Sequence, residues 1–311
     1  MEIENNLKIK VIGVGGGGNN AVTSIIKDKV KYIETYLFNT EIKILQRAIT
    51  KNVLQIGKET TKGLGSGANE IVGEKAAIES EEEIKRILEN TDILFLTAGM
   101  GGGTGTGAIP VVAKIAKDMN ILTVAIVTKP FTFEGKTRAK RAERGIEKLK
   151  EYVDALIVIS NDKLLQVIEN KTSMQEAFQL VDDVLKQGIQ SITDIVTPVG
   201  DINLDFADIQ TIFGYKGKAY IGMGRAKGEN AIVESVRNAI DNPLTEYQID
   251  NAKGIIFNVT GGKGLGLNEI NNAIKLINDR VDSDVNVMFG TVTNEELKDE
   301  VVVTVIATGI E

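Results

Sequence analysis

Two glycine-rich segments are the first candidates for chemistry. Gly13-Val14-Gly15-Gly16-Gly17-Gly18-Asn19-Asn20 follows an apolar, β-branched run and opens a helical pattern. Glycine lets the backbone turn sharply and approach a phosphate with no Cβ in the way. A helix N-terminus adds unpaired N–H groups and partial positive charge. The second segment, Gly99–Gly107, holds six glycines in nine residues, follows the apolar run Ile93–Leu96 and precedes another helical pattern. Two such loops at adjacent strand ends can grip a di- or triphosphate from both sides. Thr104 and Thr106 offer hydroxyls to phosphate or to water around a Mg²⁺ ion. Gly13, Gly15 and Gly18 also satisfy GxGxxG, with Glu34 about 20 residues on, where a dinucleotide fold carries its ribose-binding acid. A dinucleotide fold uses one such turn, so the second loop favours a nucleoside polyphosphate. No GxxxxGK[ST] occurs; Gly57-Lys58-Glu59 and Gly217-Lys218-Ala219 lack the hydroxyl, which leaves phosphate to backbone N–H groups.

Composition narrows the chemistry further. The 311 residues include no Cys, no His and no Trp. Disulfides, thiolate nucleophiles and zinc–thiolate sites are excluded, as are an imidazole base, a Ser-His-Asp triad and a kinase HRD loop. An oxidoreductase would lack a histidine proton donor. The net charge of −7 argues against a nucleic-acid partner, which needs a basic face. Met1-Glu2-Ile3-Glu4 has no signal-peptide character, and no apolar run approaches the ~20 residues of a membrane span. A cytoplasmic chain without membrane insertion is expected.

The loops are positioned by an alternating pattern. Strands are expected at Ile9–Ile12, Ile33–Phe38, Val53–Ile56, Ile93–Thr97, Leu122–Val127 and Leu156–Ile159. Helical patterns lie between them near Ala21–Asp28, Ile71–Glu89, Pro110–Lys117 and Lys136–Tyr152. Such alternation predicts βαβ units in a parallel sheet, with ligand at the carboxyl ends of the strands. Ser173–Val196 reads as one long helix, opened by a Ser173/Glu176 capping box. Its apolar stripe takes in Met174, Ala177, Phe178, Val181, Leu185, Ile189, Ile192 and Ile195. About 24 residues span about 36 Å. Beyond it, four strands (Ala219–Met223, Gly254–Thr260, Val285–Phe289, Val301–Thr308) and two helices (Asn230–Asp241, Asn268–Val281) suggest an α+β domain.

Gly101–Gly107, GGGTGTG, matches the signature [SAG]GGTG[SAT]G. With Gly13–Val22, GLGSGAN at Gly63–Asn69, PFTFEG at Pro130–Gly135, SNDKL at Ser160–Leu164 and NLDFAD at Asn203–Asp208, the chain resembles the bacterial FtsZ branch of the tubulin/FtsZ GTPase superfamily from Leu7 to Gly309. The resemblance implies a Rossmann-like parallel-sheet GTPase domain over 1–172, a central connecting helix over 173–197, and a smaller α+β domain for activation and polymerisation over 198–311. It implies GTP/GDP and Mg²⁺ as cofactors, the metal being held mainly by phosphates and water. Gly15, Gly16, Gly17, Gly18 and Asn19 would cradle the diphosphate, with Asn20 near the base. Gly102, Gly103, Thr104 and Gly105 would hold the β- and γ-phosphates. Gly67, Ala68 and Asn69 would sense the γ-phosphate, and Glu134 and Arg138 would lie near ribose and phosphates.

For the base, Phe178 and Asp182 share a helix face, so an aromatic ring could stack on a purine while a carboxylate accepts guanine N1–H and N2–H₂. The same spacing also suits an apolar stripe beside a wet face. Asn161 resembles the family's second base contact. Asn203, Asp205 and Asp208 would act on the nucleotide of the next subunit in a head-to-tail filament, although Asp205 could equally be an N-cap. The implied role is a GTPase filament of the division ring at mid-cell, with adaptor and regulator proteins as partners; a tubulin-like filament for plasmid segregation or cell shape is the alternative. Glu41, Ser160 and Ile109 depart from the residues usual in the family. The sequence ends at Glu311, short of the linker and membrane-adaptor peptide with which family chains continue, so recruitment through such a peptide is not expected of these residues.

Overall fold

The structure is a computed structural model that describes residues 7–165, 172–196, 202, 204–228, 230–262, 266–281 and 284–310. Two compact units divide between Gln190 and Ser191. In the first, strands β1 (Ile9–Val14), β2 (Ile33–Asn39), β3 (Val53–Gln55), β4 (Ile93–Gly99), β5 (Leu122–Lys129) and β6 (Ala155–Ser160) lie in the order β3-β2-β1-β4-β5-β6. Every pairing among them is parallel. β1, β4 and β5 are buried almost throughout, as their unbroken apolar runs require of strands covered on both faces. From β1 the order runs to β2 on one side and to β4 on the other. The switch point therefore lies between β1 and β4, whose carboxyl ends flank the crevice where such sheets bind ligands. The two glycine loops follow these same two strands.

The helices of this unit are α1 (Gly15–Lys27), α2 (Ile42–Gln46), α3 (Lys58–Thr61), α4 (Glu70–Glu79), α5 (Glu81–Leu88), α6 (Thr104–Asp118), α7 (Lys136–Lys150) and α8 (Asn161–Leu164). The single helix expected over Ile71–Glu89 is two, α4 and α5. They break at Ser80, whose φ/ψ of −99°/19° is not helical and whose buried Oγ accepts the Gly57 N–H at 3.0 Å. A serine with a long-range backbone partner has left the helix. The carboxyl end of α5 is closed by Lys10 of β1. Its buried Nζ donates to the carbonyls of Ile87 at 2.5 Å and Glu89 at 3.0 Å, a cation satisfying orphan carbonyls.

Helix α9 (Met174–Val196) crosses the division between the units. The expected capping box is present: the Ser173 N–H donates to Glu176 Oε2 at 2.7 Å and the Glu176 N–H to Ser173 Oγ at 3.2 Å. Ala177, Val181, Leu185, Ile189, Ile192 and Ile195 are buried as a stripe, but Met174 and Phe178 are 64 % and 38 % exposed and leave it.

In the second unit β7 (Lys218–Lys227), β8 (Gly254–Gly261), β9 (Asn286–Thr293) and β10 (Glu300–Ile310) lie in the order β7-β10-β8-β9. β10 is antiparallel to both neighbours and β8 is parallel to β9. Helices α10 (Phe206–Phe213), α11 (Ala231–Ile240) and α12 (Leu267–Asn278) accompany them; α10 adds to the two helices expected. Tyr220, Val236, Phe257, Val303 and Val305 lie in the core. A Cβ on Gly224 would strike the Ser235 carbonyl, so α11 rests directly on β7.

Lys10→Met should destabilise the chain by about 1–3 kcal/mol, the cost of buried carbonyls left without a donor. A lowered urea midpoint in circular dichroism checks this, and an unchanged midpoint would show that Lys10 closes nothing.

Candidate functional site

Both glycine loops end in helix starts with no side-chain cap. α1 begins after Val14 and α6 after Gly103; neither has a side-chain cap bond or an acid in its first turn. Their first N–H groups therefore lack helical partners. The parallel register sets Gly13 opposite Thr97, which brings the two starts side by side. Gly15 has φ +71°, and a Cβ on it would come within 2.7 Å of the Gly105 nitrogen. A Cβ on Gly17 would lie 3.1 Å from the Gly99 nitrogen, and one on Gly18 would strike the Thr97 carbonyl. Packing thus accounts for these glycines. It does not account for Gly16 or Gly102, where an added Cβ meets nothing within 4 Å; Gly16 is exposed. This is a cradle open on one side and lined by main chain.

A third segment closes on the second loop. Between Gly63 and Asn69 the backbone takes positive φ at Gly63, Gly65, Gly67 and Ala68, and a Cβ on Gly103 would lie 2.6 Å from the Asn69 nitrogen. Asn69 caps α4, its Oδ1 accepting the Ile71 N–H at 2.9 Å. The Thr104 hydroxyl lies 2.6 Å from that of Thr40 and 3.0 Å from that of Ser66. Thr106, expected beside Thr104 as a phosphate or metal-water hydroxyl, turns inward: it is buried and its Oγ1 accepts the Gly101 N–H at 2.7 Å. Asn19 is also committed. Its amide donates to the carbonyls of Gly13 at 2.7 Å and Phe38 at 3.2 Å, and its Oδ1 accepts from Asn39 at 2.6 Å. Only its main chain remains for a ligand.

The cations around Arg138 sort into two groups. Arg141 pairs with Glu70 at 3.1 Å and Arg144 pairs with the same carboxylate; the Arg144 hydrogen bond holds that carboxyl below its ordinary pKa. Arg141 also donates to the Gly101 carbonyl at 2.7 Å. Arg138 pairs with Glu134 at 2.9 Å. Both line a cleft with Gly17, Asn20, Gly99, Asn161, Phe178 and Asp182. Structure and spacing agree that Phe178 and Asp182 share a face, and the cleft lies before it. Phe178 meets Phe131 edge-on at 5.4 Å. Asn161 is 3 % exposed and its Oδ1 has no hydrogen-bond partner. Burial, with Asp183 alongside, pushes the Asp182 carboxyl up to about 7.

Glu34 does not serve a dinucleotide reading. It stands opposite Lys10 in the β1–β2 register, toward the amino end of the sheet, where it accepts the Tyr36 hydroxyl at 2.6 Å. Burial and Glu34 together raise that phenol to about 12. In the second unit, Asp205 caps α10. Asp208 N–H donates to Asp205 Oδ1 at 2.8 Å and Asp205 N–H to Asp208 Oδ2 at 3.1 Å. The N-cap reading of Asp205 therefore holds as structure. Asn203 lies outside the described residues. Among the described residues no group of three or more acids is placed to hold a metal ion, and no helix is long and apolar enough to cross a membrane.

Residues 8–169 match the model of the Tubulin/FtsZ family, GTPase domain, and residues 217–311 that of the FtsZ family, C-terminal domain. Among solved structures, an empty FtsZ dimer from M. jannaschii matches with a TM-score of 0.91 and 39 % identity, over 97 % of this chain and 88 % of that one. CetZ2 of Haloferax volcanii, solved as a GTPγS-bound protofilament, matches with a TM-score of 0.85 at 20 % identity over 98 % and 94 % of the two chains. Its GDP-bound relative CetZ1 gives 0.84 at 21 %, over 98 % and 95 %; these two share the fold. The matches carry no bacterial assignment.

Gly16→Ala should fold as well as the parent, since alanine favours a helix by up to about 1 kcal/mol, yet lose at least about tenfold in nucleotide affinity. Calorimetric titration beside a thermal melt checks both halves; undiminished binding would remove Gly16 from the cradle.

Proposed function

The chain belongs to the tubulin/FtsZ family of GTPases, and from that premise we propose how its residues bind and spend GTP. The carrying observation is the paired, uncapped starts of α1 and α6 at the switch point, with Gly16 and Gly102 open beside them. Main-chain N–H groups of Gly15–Asn19 take the diphosphate, and those of Gly102–Gly105 with the Thr104 hydroxyl take the β- and γ-phosphates. Gly67, Ala68 and Asn69 stand beside the γ-phosphate; Glu134 and Arg138 stand by ribose and phosphates. Asn20, Asn161 and Phe178 meet the base, and Asp182 selects guanine by accepting N1–H and N2–H₂. Adenine offers no such donors, and the buried acid would stay unpaired at a cost of about 1–3 kcal/mol or more. The lone Oδ1 of Asn161 and the strained ionisation of Asp182 both fit a partner that donates hydrogen bonds.

The donor set also suits Mg²⁺ carried by the nucleotide. Hydroxyls and main chain surround the cradle in place of an acid trio, so phosphate oxygens and water would fill the ion's shell. When bound, the ion neutralises charge on the transferring phosphate.

Hydrolysis is assigned to a neighbour. Chains stacking head to tail make a heterologous contact that does not close, which yields a filament. Asp205, Asp208 and Asn203 of the next copy polarise water against the γ-phosphate. The capping box holds the two carboxylates in fixed relative positions and uses one oxygen of each. Parts supplied in trans to a GTPase are worth about 10³–10⁵ in rate by analogy with arginine fingers. The match of residues 217–311 to an FtsZ C-terminal domain favours a cytoplasmic division-ring filament, with adaptor and regulator partners, over a filament for plasmid segregation or cell shape.

GTP turnover per molecule should rise with protein concentration, and Asp205→Asn should still assemble with GTP. Asparagine caps a helix as well as aspartate does, so the variant separates charge from fold, and its turnover should drop at least about 100-fold. Parental turnover, measured by phosphate release and light scattering together, would unseat the acid.

Guanine nucleotide affinity should weaken as pH falls from 8 to 6. Asp182, ionising near 7 in the free chain, must lose its proton to accept both base donors. The ratio of parental to Asp182→Asn affinity, which cancels the phosphate's own titration, should grow with pH up to about 7 and then level. A flat ratio would remove Asp182 from the base.

A further inference from the structure

Three hydroxyls from three separate segments meet beside the cradle. Thr40 follows β2, Ser66 sits in the Gly63–Asn69 loop, and Thr104 opens α6. The Thr104 Oγ1 lies 2.6 Å from Thr40 Oγ1 and 3.0 Å from Ser66 Oγ. Each hydroxyl has one proton to give and two lone pairs to receive. Thr40 is 0 % exposed, and Thr104 is the partner of its hydroxyl. If Thr40 only accepted, its own proton would be buried unpaired, which is costly. Thr40 therefore donates to Thr104. One proton then decides the arrangement: Thr104 gives its own either to Ser66 or to a ligand.

We infer that Ser66 is a positioning residue whose hydroxyl ties the Gly63–Asn69 loop to Thr104, so that the loop is held tightly when Thr104 donates to a γ-phosphate. This rests on the nucleotide reading above. With the γ-phosphate present, Thr104 donates outward to a charged oxygen and receives from both Thr40 and Ser66. Donation to an anion polarises the Thr104 oxygen and strengthens the bond it accepts from Ser66. Without that phosphate, Thr104 donates to Ser66 in an ordinary hydroxyl pair, and the tether weakens.

The loop is built to respond. Its first part is held to α2 and the residue before it, through the Ile42 N–H donating to Gly63 O at 3.2 Å and the Glu41–Leu64 bridge. Its last part is held by the Asn69 cap. Between Leu64 and Asn69, the side-chain tether among the described residues is Ser66. Ala68 sits at φ +58°, a left-handed position that is unfavourable for a residue with a Cβ. A segment under that strain needs its tether, so a change in one bond can shift it.

The chain has no Trp, and Leu64 is 81 % exposed, so Leu64→Trp places one fluorophore on the loop. Emission and affinity are measured with GDP and with the non-hydrolysable βγ-methylene analogue of GTP, in the reporter chain and with Ser66→Ala added. The reporter should emit differently in the two nucleotides. Ser66→Ala should cut that difference by more than half and lower the analogue-to-GDP affinity ratio about fivefold, the worth of one hydrogen bond, with GDP affinity within twofold of the parent. An unchanged ratio and emission difference would overturn the coupling. Equal loss of both nucleotides would do the same, by showing Ser66 to be structural. A reporter chain that binds neither nucleotide would defeat the nucleotide reading itself, and this inference with it.

Discussion

Gly15 and Gly105 meet backbone to backbone, in a gap that leaves no place for a Cβ. That contact sets the separation of α1 and α6, whose unpaired N–H groups form the cradle. It exists because β1 and β4 pair in parallel at the switch point of the sheet. Everything else around the cleft takes its position from it. The Gly63–Asn69 loop leans on Gly103, Arg141 holds the Gly101 carbonyl, and Thr106 pins the Gly101 N–H. A loop whose own polar groups are consumed in this way keeps its shape without ligand, so little ordering entropy is left for binding to overcome.

The uncapped starts of α1 and α6 put oriented peptide groups, with their partial positive charge, at the cradle. The chain as a whole is acidic, with a net charge of −7. Helix starts act over a turn or so, so the attraction is local and leaves the rest of the surface acidic. The nearby cations are mostly tied down: Arg141 and Arg144 by Glu70, Lys148 by Glu74 at 3.0 Å, and Arg138 by Glu134. The pairs of Arg141, Arg144 and Lys148 tie α7 to α4, whereas Arg138–Glu134 ties α7 to the turn before it.

Several candidate site residues are held in place by the fold itself. Asp205 and Asp208 cap α10 with one carboxylate oxygen each, and the other oxygen of each lies outside the capping box. Asn19 joins β1 to β2 and leaves its main chain to the cradle. The buried Oδ1 of Asn161 has no hydrogen-bond partner, and partial burial raises the Asp182 carboxyl to about 7.

Much was legible in the sequence because it is local. The glycine runs, the strand–loop–helix alternation, the Ser173/Glu176 box and the spacing of Phe178 and Asp182 all lie within a few residues of one another, where backbone sterics and periodicity decide. The family signature was legible for the same reason. What the sequence left open depended on partners far along the chain. Ser80 breaks a helix for Gly57, Glu34 stands at the sheet's amino end opposite Lys10, Thr106 turns from the cradle to Gly101, and Met174 and Phe178 leave the stripe of α9. Only tertiary structure settled these, because a hydroxyl or carboxylate takes whichever partner the packing brings within about 3 Å, and burial of Asp182 is set by elements remote from it in sequence.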